Sequence, residues 1–209
     1  MTFLSDDTKV NAVGSWTLQV EFLFNLFLKS MTVDIDKRFI GIDVGSVSVK
    51  AVLLDGKGDL LERYYVRHHG QPLIEASGLL DKIGYADSIG ITGSAGKLIA
   101  SILGVESINE ITANSYPLKI FHKEARTVIE MGGEDSKLIL LDNGRVKDFS
   151  MNSLCAAGTG AFLDQQAERL GLRIEAEFGE LAMKSKTPPR IAGRCSVFAK
   201  SDMIHLQQI

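Results

Sequence analysis

Cysteine is scarce in this chain, with two residues among 209. Two cysteines cannot form the dense disulfide framework that stabilises small secreted domains. The scarcity therefore predicts a reducing, cytoplasmic setting. It also raises the question of whether the two thiols bind a metal or take part in redox chemistry.

An excess of charge of one sign is missing as well. The formal net charge is -3 at pH 7, and no block of like charges occurs along the chain. The composition therefore predicts neither nucleic acid nor a membrane as a partner. The hydrophobic fraction of 45% is enough for a core, in one domain or in two small lobes.

A transmembrane helix and a signal peptide are also not predicted. The most apolar run, SWTLQVEFLFNLFL at 15–28, is too short to span a bilayer and contains Glu21. Two aspartates precede it, where a signal peptide needs basic residues, and no small-residue cleavage site follows. We expect residues 1–37 to be a peripheral N-terminal extension, with Met31 close to the start of the first domain.

Two common nucleotide-binding fingerprints are absent from the sequence. The chain contains neither G-x-x-x-x-G-K-[ST] nor G-x-G-x-x-G. P-loop chemistry and Rossmann-type dinucleotide binding are therefore not supported.

What the sequence does contain is a pattern of strands and helices typical of an α/β fold. Three strands, at 39–43, 47–54 and 60–67, are joined by GS and DGKG turns and predict a β-meander. The first of them is almost wholly apolar, as a central strand would be. A helix, a short strand at 88–94 and a second helix follow.

The later part of the chain repeats this organisation. A helical stretch broken at Pro117 leads to a second strand pair, turned by Asp142-Asn143-Gly144. We therefore predict two related lobes, at 38–125 and 126–209.

One short pattern ends a buried strand in each lobe, as IDVGS and as IEMGGED. A glycine-rich turn lets backbone N–H groups approach phosphate oxygens, so two such turns could clamp one triphosphate. Asp43 and Glu130 end the two strands, and their carboxylates are suited to holding Mg²⁺ through its waters and orienting an attacking water. Either turn alone is more often an ordinary hairpin turn, but the matching pair is far more specific.

Longer segments around these turns resemble known proteins. GIDVGSVSVKAVLLD and TVIEMGGEDSK are similar to the two phosphate motifs of the acetate kinase, sugar kinase, Hsp70 and actin superfamily. This resemblance implies a ribonuclease H-like, two-lobed ATPase fold. MNSLCAAGTGAFLDQQAERLG and GRCSVFAKSDMIHLQQ resemble the BadF/BadG/BcrA/BcrD family, above all the activase domain of predicted CoA-substrate-specific enzyme activases. The resemblance runs from about Phe39 to the last residue.

The family resemblance implies an activity. Its members are ATP-dependent activators of 2-hydroxyacyl-CoA dehydratases and ATPase subunits of benzoyl-CoA reductases. An electron from ferredoxin or flavodoxin would pass through the activator to an iron-sulfur acyl-CoA dehydratase or reductase. ATP hydrolysis would drive that transfer by shifting the population between two arrangements of the lobes.

The resemblance also implies the residues of the site. The phosphate loops would be Gly45, Ser46, Val47, Ser48 and Lys50 in the first lobe, and Gly132, Gly133, Glu134 and Asp135 in the second. Asp43 and Glu130 would serve Mg²⁺ and the lytic water. Glu110 would add a carboxylate at the junction of the lobes, or would be an ordinary charge on a helix surface.

The two cysteines match positions that hold a shared cluster in the activators. There, a [4Fe-4S] cluster bridges a homodimer, and the matching residues here are Cys155 and Cys195. Such a cluster is normally held by four thiolates, so two per chain require a two-fold axis. Cys155 directly precedes a predicted helix, whose N-terminus would favour a thiolate. Zinc is less favoured, because the chain has no C-x-x-C, and a small buried apolar role remains the alternative for either cysteine.

Two departures from the family pattern affect these expectations. The dehydratase activators usually carry D-x-GGQD, so Glu130 replaces an aspartate and Glu134 a glutamine; the added negative charge should weaken nucleotide binding unless Mg²⁺ or a lysine offsets it. The family domain should also continue beyond Ile209, so we expect an incomplete second lobe and weak ATPase activity at best.

Two other functions remain open at this point. A small-molecule kinase of the same superfamily, of the N-acetylglucosamine kinase type, would need the phosphate loops but no cluster cysteines. A non-enzymatic remnant would keep the hairpins and lose turnover. Substituting Cys155 with alanine distinguishes an activator from a kinase, and nucleotide binding identifies the remnant.

Overall fold

The computed structural model describes residues 2–5, 10–13, 36–152 and 159–208. The chain divides into two compact units. The first comprises Met1–Glu130 and Lys137–Ser150, and the second comprises Met131–Ser136 and Met151–Ile209. The predicted lobe boundary at 125/126 stays a prediction.

The first sheet contains the predicted meander. Its strands are β3 (Arg38–Val44), β4 (Ser48–Asp55), β5 (Leu60–Arg67) and β6 (Ser88–Thr92), in the order β5-β4-β3-β6. β4 pairs antiparallel with both β3 and β5, whereas β6 pairs parallel with β3. The prediction of three consecutive hairpin-linked strands followed by a helix and a fourth strand is confirmed.

The apolar pattern explains the arrangement of this first half. Residues 39–44 of β3 are all buried, which suits a strand with neighbours on both sides. The parallel pairing of β6 requires a crossover, and helix α1 (Pro72–Ile83) provides it. The residues that α1 buries, at helical spacing, are Ala76, Leu79 and Ile83, and they join the main core of the unit. Helix α2 (Gly96–Leu103) follows β6.

The second sheet also lies in the first unit, apart from the ends of β7, β8 and β9. Two short helices, α3 (Glu110–Ser115) and α4 (Leu118–Phe121), precede it and are separated at Pro117, as predicted. The segment predicted as a strand pair contains three strands, β7 (Thr127–Met131), β8 (Ser136–Asp142) and β9 (Arg145–Asn152).

The apolar pattern and the turn of this sheet follow simple rules. β8 alternates between buried and exposed residues, so one face packs on a core that contains Leu118, Val128 and Ile139. Asn143 and Gly144 both have positive φ, 48° and 70°. Positive φ at both central residues is the requirement of a type I′ hairpin turn, which the Asn-Gly pair predicts.

Part of the N-terminal extension adds two strands to this second sheet. β1 (Thr2–Ser5) and β2 (Val10–Val13) extend it in the order β2-β1-β7-β8-β9. β1 pairs antiparallel with β7, with Thr2 opposite Glu130. β1 therefore flanks β7 as β6 flanks β3. The directions differ, because β1 runs antiparallel to β7 whereas β6 runs parallel to β3. The sequence pattern predicted no strand in this region.

The second unit is largely helical within its described residues. The predicted helix after the cysteine motif is α5 (Gly160–Arg169). It is followed by a π-helical turn (Ile174–Phe178), α6 (Gly179–Lys184) and α7 (Ser196–Leu206). The Asp202 carboxylate accepts a hydrogen bond from the Ala192 amide at 2.9 Å and ties α7 to the segment before it. Within the part of the chain that the structure describes, no helix is both long and apolar enough for a bilayer crossing.

Candidate functional site

The first glycine-rich turn joins β3 to β4 and places a carboxylate beside a lysine. Asp43 and Lys50 are direct cross-strand partners, and the Lys50 Nζ lies 2.8 Å from the Asp43 Oδ2. Asp43 is buried, at 4% exposure. The Gly45 amide closes the turn by donating to the Ser48 carbonyl at 3.0 Å. The opposite charge of Lys50 offsets the cost of burying the Asp43 carboxylate.

A glycine after β6 lies directly against this turn. Gly93 has a φ of +100°, and a Cβ there would lie 2.4 Å from the Val44 carbonyl oxygen and 2.5 Å from the Asp43 Oδ1. Nearby, the Ala95 amide donates to the same Val44 carbonyl at 3.0 Å. Only glycine fits this position, since both the backbone conformation and the space exclude a side chain. Gly93 was not predicted as a site residue, although its place immediately after a strand was a signal.

A buried histidine supports the turn through two further contacts. The His68 ring Nε2 lies 3.2 Å from the Gly45 carbonyl oxygen, and the His68 amide donates to the Val47 carbonyl at 3.2 Å. His68 follows β5 and is 7% exposed. It was not among the residues predicted from the sequence. The first turn is thus supported by His68, which follows β5, while the segment after β6 contacts the end of β3 just before the turn.

The second carboxylate, Glu130, is held in a three-residue ionic cluster. The Lys137 Nζ lies 3.0 Å from the Glu130 Oε2 and 2.9 Å from the Glu110 Oε2. Lys137 is 3% exposed and Glu130 is 7% exposed. Glu110 begins α3, behind an Asn109 side chain that accepts a hydrogen bond from the Ile111 amide. Lys137 therefore brings together two of the predicted carboxylates, Glu110 and Glu130, within the first unit.

Lys137 is a further residue beside the predicted carboxylates that the sequence patterns did not identify. It stands seven positions after Glu130, as Lys50 stands seven positions after Asp43. In both hairpins this spacing places an ammonium group against the carboxylate of the preceding strand. The repeated spacing was visible in the sequence and could have identified it.

The second glycine-rich turn lies in the second unit and is tied to helix α5. The Gly132 amide donates to the Asp135 carbonyl at 2.9 Å, which closes the turn as in the first hairpin. The Gly160 amide donates to the Gly132 carbonyl at 2.7 Å, and the Ala161 amide donates to the Gly133 carbonyl at 2.9 Å. A Cβ at Gly160 would lie 3.0 Å from the Gly132 oxygen. The Gly-Thr-Gly step of the cysteine motif thus lets the helix start close to the turn.

The charges of this turn differ in their exposure to solvent. Glu134, which replaces the glutamine of the family pattern, is exposed. Water therefore screens its added charge, and the expected penalty on nucleotide binding is reduced. Asp135 is partly buried.

Of the two predicted cluster ligands, Cys195 lies within the described residues. Cys195 is partly buried at the N-cap of α7, and its carbonyl accepts the Ala199 amide at 2.9 Å. Arg194 and Lys200, the basic residues near it in sequence, are both exposed. Cys155 lies outside the described residues. Within the described ranges, no group of three or more histidine, cysteine, aspartate or glutamate side chains is arranged to hold a metal ion.

Comparison with known proteins decides the family. The sequence profile of the BadF/BadG/BcrA/BcrD ATPase family matches residues 40–209. The chain belongs to this family. The matched region contains both glycine-rich turns and both cysteines.

Individual members of the family are similar over most of this chain. The (R)-2-hydroxyglutaryl-CoA dehydratase activating ATPase of Acidaminococcus fermentans is 32% identical over 79% of this chain and 65% of its own length. One of the subunits of benzoyl-CoA reductase from Thauera aromatica is 31% identical over 79% of this chain and 62% of its own length. The chain thus spans somewhat less than two thirds of the length of these curated relatives.

A solved structure shares the fold. The activator of the 2-hydroxyisocaproyl-CoA dehydratase from Clostridium difficile, with bound ADPNP, gives a TM-score of 0.70 at 32% identity. The superposition covers 82% of this chain and 66% of the activator. The fold is therefore the actin/Hsp70-like ATPase fold that the two phosphate motifs predicted.

Proposed function

We propose that this chain is an ATP-hydrolysing activator that couples hydrolysis to electron transfer toward a 2-hydroxyacyl-CoA dehydratase or a benzoyl-CoA reductase-type partner. The observation that carries the proposal is the family match over residues 40–209, which includes both glycine-rich turns and both cysteine motifs. The relatives named above are activators or subunits of such enzymes.

The two turns are suited to the phosphates of ATP. Gly45 and Gly132 use their amides to close the turns, so the phosphate donors would be the residues that follow, at 46–48 and 133–135. Backbone N–H groups in such turns form concave anion sites. Lys50 would add an ammonium group from the first hairpin. An ADPNP-bound activator of the same fold supports an adenine nucleotide as the ligand.

The carboxylates beside the turns are suited to Mg²⁺ and to water. Magnesium prefers oxygen ligands and usually keeps several of its waters, so Asp43, Glu110 and Glu130 would hold it through water. When bound, the ion would neutralise charge on the phosphates. The chain's own part is to orient the attacking water and accept its proton, which a fixed carboxylate does well.

The cysteines are suited to a cluster shared between two copies. Cys195 fits this role because it is partly exposed at a helix N-terminus, where backbone N–H groups favour an anionic group. With Cys155 it would supply two thiolates, and a second copy would supply the other two. A bound [4Fe-4S] cluster would provide one-electron transfer, with ferredoxin or flavodoxin as the donor.

The hydrogen bonds between the second turn and α5 support a mechanical coupling. Gly132 and Gly133 accept from the first two residues of the helix that follows the Cys155 motif. A change of the turn on nucleotide hydrolysis would therefore be passed directly to the start of this helix. The kinase alternative gives no role to this link or to the two cysteines.

Anaerobic reconstitution with iron and sulfide tests the proposal. We expect about two irons per chain, a dimeric mass and the brown absorbance of a cubane cluster. Cys155→Ala and Cys195→Ala should each abolish the colour and leave nucleotide binding intact. A colourless, iron-free monomer that still binds ATP would instead favour a small-molecule kinase, and one that binds neither would favour a non-enzymatic remnant.

A further inference from the structure

All four hydrogen-bonding groups of His68 are engaged beside the first glycine-rich turn. Its amide donates to the Val47 carbonyl at 3.2 Å, and its ring Nε2 lies 3.2 Å from the Gly45 carbonyl oxygen. Its carbonyl accepts the Gln71 amide at 2.7 Å, and its ring Nδ1 accepts the Gly70 amide at 3.1 Å. His68 therefore connects the turn to the segment that leads into α1.

The contacts of the ring fit only one protonation state. A backbone N–H can only donate, so the Nδ1 that faces the Gly70 amide carries a lone pair and no proton. In the neutral imidazole the other nitrogen then carries the proton, and the Nε2–H donates to the Gly45 carbonyl. The opposite tautomer would lose both bonds, and the imidazolium would place an N–H of its own against the Gly70 amide. The His68 ring is thus a fixed donor toward the turn.

The backbone after His68 brings its own amide back to the ring. His69 and Gly70 both have positive φ, 46° and 85°. This conformation is unfavourable for a residue with a side chain, and it returns the chain so that the Gly70 amide reaches the ring Nδ1. The hydrogen bonds of the His68 ring offset the conformational cost at His69.

Holding a carbonyl also fixes the amide of the next residue. In a trans peptide the C=O and the following N–H point in opposite directions. Because the Gly45 carbonyl points toward His68, the Ser46 N–H points away from it. The Val47 carbonyl also points toward His68, so the Ser48 N–H points away as well. The two serine amides therefore face the side of the turn opposite His68.

The second glycine-rich turn has the same arrangement with different donors. There, the Gly132 and Gly133 carbonyls accept from the Gly160 and Ala161 amides at the start of α5. The amides of Gly133 and Glu134 are therefore turned away from the helix. In the first turn the donors that hold two carbonyls come from one histidine, and in the second they come from the start of a helix.

We propose that His68 is a positioning residue for nucleotide binding, which turns the Ser46 and Ser48 amides toward the phosphates through its ring Nε2–H and its backbone N–H. This assignment rests on the proposed function. It makes two of the three amides at 46–48 the principal phosphate donors of the first turn. His68 acts through the turn and does not itself touch the nucleotide.

Two substitutions separate the donor of the ring from its acceptor. His68→Gln keeps an N–H group within reach of the Gly45 carbonyl, whereas His68→Asn keeps only an acceptor near the position of Nδ1. We expect His68→Asn to raise the Kd for Mg²⁺·ADPNP and the KM for ATP by about 5–20-fold, with kcat within about threefold of wild type. His68→Gln should stay within about threefold of wild type in all three quantities.

The neighbouring histidine provides the matched control. His69→Asn changes an exposed side chain at a positive φ that asparagine tolerates, so the Kd should stay within about twofold of wild type. Equal losses of affinity in His68→Gln and His68→Asn would show that packing of the ring matters and not its N–H. Wild-type affinity in both variants would show that the turn needs no support from the ring. Either result would overturn the positioning role.

The wild-type chain provides a test that needs no substitution. Long-range ¹H–¹⁵N NMR spectra at about pH 7.5 should show the His68 ring as the Nε2–H tautomer. On addition of Mg²⁺·ADPNP, the Ser46 and Ser48 amide protons should shift downfield by more than that of Val47, because His68 holds only their two peptides. The other tautomer or a charged ring would overturn the hydrogen-bond pattern, and a larger shift at Val47 would overturn the positioning role.

These tests separate the inference from the proposed function. If the wild-type chain does not bind Mg²⁺·ADPNP, the proposed function fails, and the role of His68 in orienting phosphate donors fails with it. The tautomer still decides whether the ring holds the Gly45 carbonyl. If the nucleotide binds and His68→Asn binds it equally well, the positioning role alone is wrong.

Discussion

The two glycine-rich hairpins are built alike but supported differently. In each, a buried carboxylate on one strand meets a lysine seven positions later, and the first glycine closes the turn onto a carbonyl three residues on. The first turn is packed against Gly93, which follows β6, and the second is packed against Gly160, which begins α5. The first lysine holds one carboxylate and the second holds two.

The two hairpins share the same spacing between carboxylate and lysine but have different surroundings. The spacing is enough to place an ammonium group on a carboxylate in either hairpin. The surroundings decide the burial of that pair and its further partners, because these come from elements distant in sequence. The two hairpins should therefore respond differently to the same substitution.

The largest difference should appear in ATP hydrolysis. We expect Asp43→Asn to lower kcat by about 10²–10⁴-fold, because it removes a buried carboxylate suited to act on the attacking water. Glu130→Gln, in the second hairpin, should lower kcat by about 10–100-fold, because Glu110 lies on the same lysine and keeps one carboxylate at the site. Steady-state hydrolysis in saturating Mg²⁺ measures both. ADPNP affinity within about tenfold of wild type would show that the site itself is retained. Equal losses of kcat would mean that the two carboxylates have equivalent roles.

The next effect compares the two supporting glycines. Gly93→Ala places a Cβ 2.4 Å from a carbonyl oxygen at a φ of +100°, so we expect the free energy of unfolding to fall by about 3–5 kcal/mol. At Gly160 the contact distance is 3.0 Å and the position is helical. Alanine's better helix propensity offsets part of the crowding, so we expect a loss of at most about 2 kcal/mol.

Urea-induced unfolding, measured by circular dichroism, gives the free energy of unfolding of Gly93→Ala and Gly160→Ala. Gly78→Ala is the matched control, because it lies within α1 and a Cβ there meets nothing within 4 Å. We expect it to be neutral or to stabilise by up to about 1 kcal/mol. A mild effect of Gly93→Ala would show that the segment after β6 can move away from the first turn.

Much of this architecture could be predicted from local sequence. The almost wholly apolar β3, the break at Pro117 and the Asn-Gly turn each have a local physical cause, and the structure confirms all three. Both carboxylates that end strands could also be identified, because their glycine-rich contexts are repeated.

The remaining features depend on contacts between distant parts of the chain. The pairing of β1 with β7 and the approach of Gly93 to Asp43 follow from tertiary packing, which no local pattern specifies. The meeting of Lys137 with Glu110 is of the same kind, since only the fold brings α3 to β8. The role of Cys155 stays a prediction, because that residue lies outside the described part of the chain.

A smaller effect should distinguish Lys50 from Lys137, the two lysines that pair with a carboxylate on a neighbouring strand. Lys50→Met leaves the buried Asp43 carboxylate without its ammonium partner. The Lys50 side chain is already 17% exposed, so water can partly replace it. We expect a loss of about 1–2 kcal/mol in the free energy of unfolding, against about 3–5 kcal/mol for Lys137→Met. The same urea experiment measures both. Similar losses would show that the additional carboxylate of Glu110 contributes nothing to the second pair.

The smallest effect concerns the outer turns of the two meanders, which join β4 to β5 in the first and β8 to β9 in the second. In the β4–β5 turn, the Asp55 carboxylate accepts hydrogen bonds from the Asp59 and Lys57 amides, each at 2.9 Å, and these bonds lower the pKa of Asp55 below its ordinary value of 3.8. The β8–β9 turn relies instead on the positive φ of Asn143 and Gly144. Because the folded-state pKa is lowered, the carboxylate stabilises the fold above the unfolded pKa and loses this contribution as the pH falls through the folded value.

Asp55→Asn tests this turn, because the amide can keep the acceptor but not the charge. The wild type should have the slightly higher Tm at about pH 6, and the difference should shrink as the pH falls below 3.8 and through the lowered pKa of Asp55. Asp81→Asn, at an exposed position on α1, controls for the loss of one negative charge. A Tm difference that stays constant over this range would show that the geometry of the acceptor, and not its charge, holds the β4–β5 turn. In that case the two outer turns would be equivalent, and the contrast between the two halves would be confined to their glycine-rich hairpins.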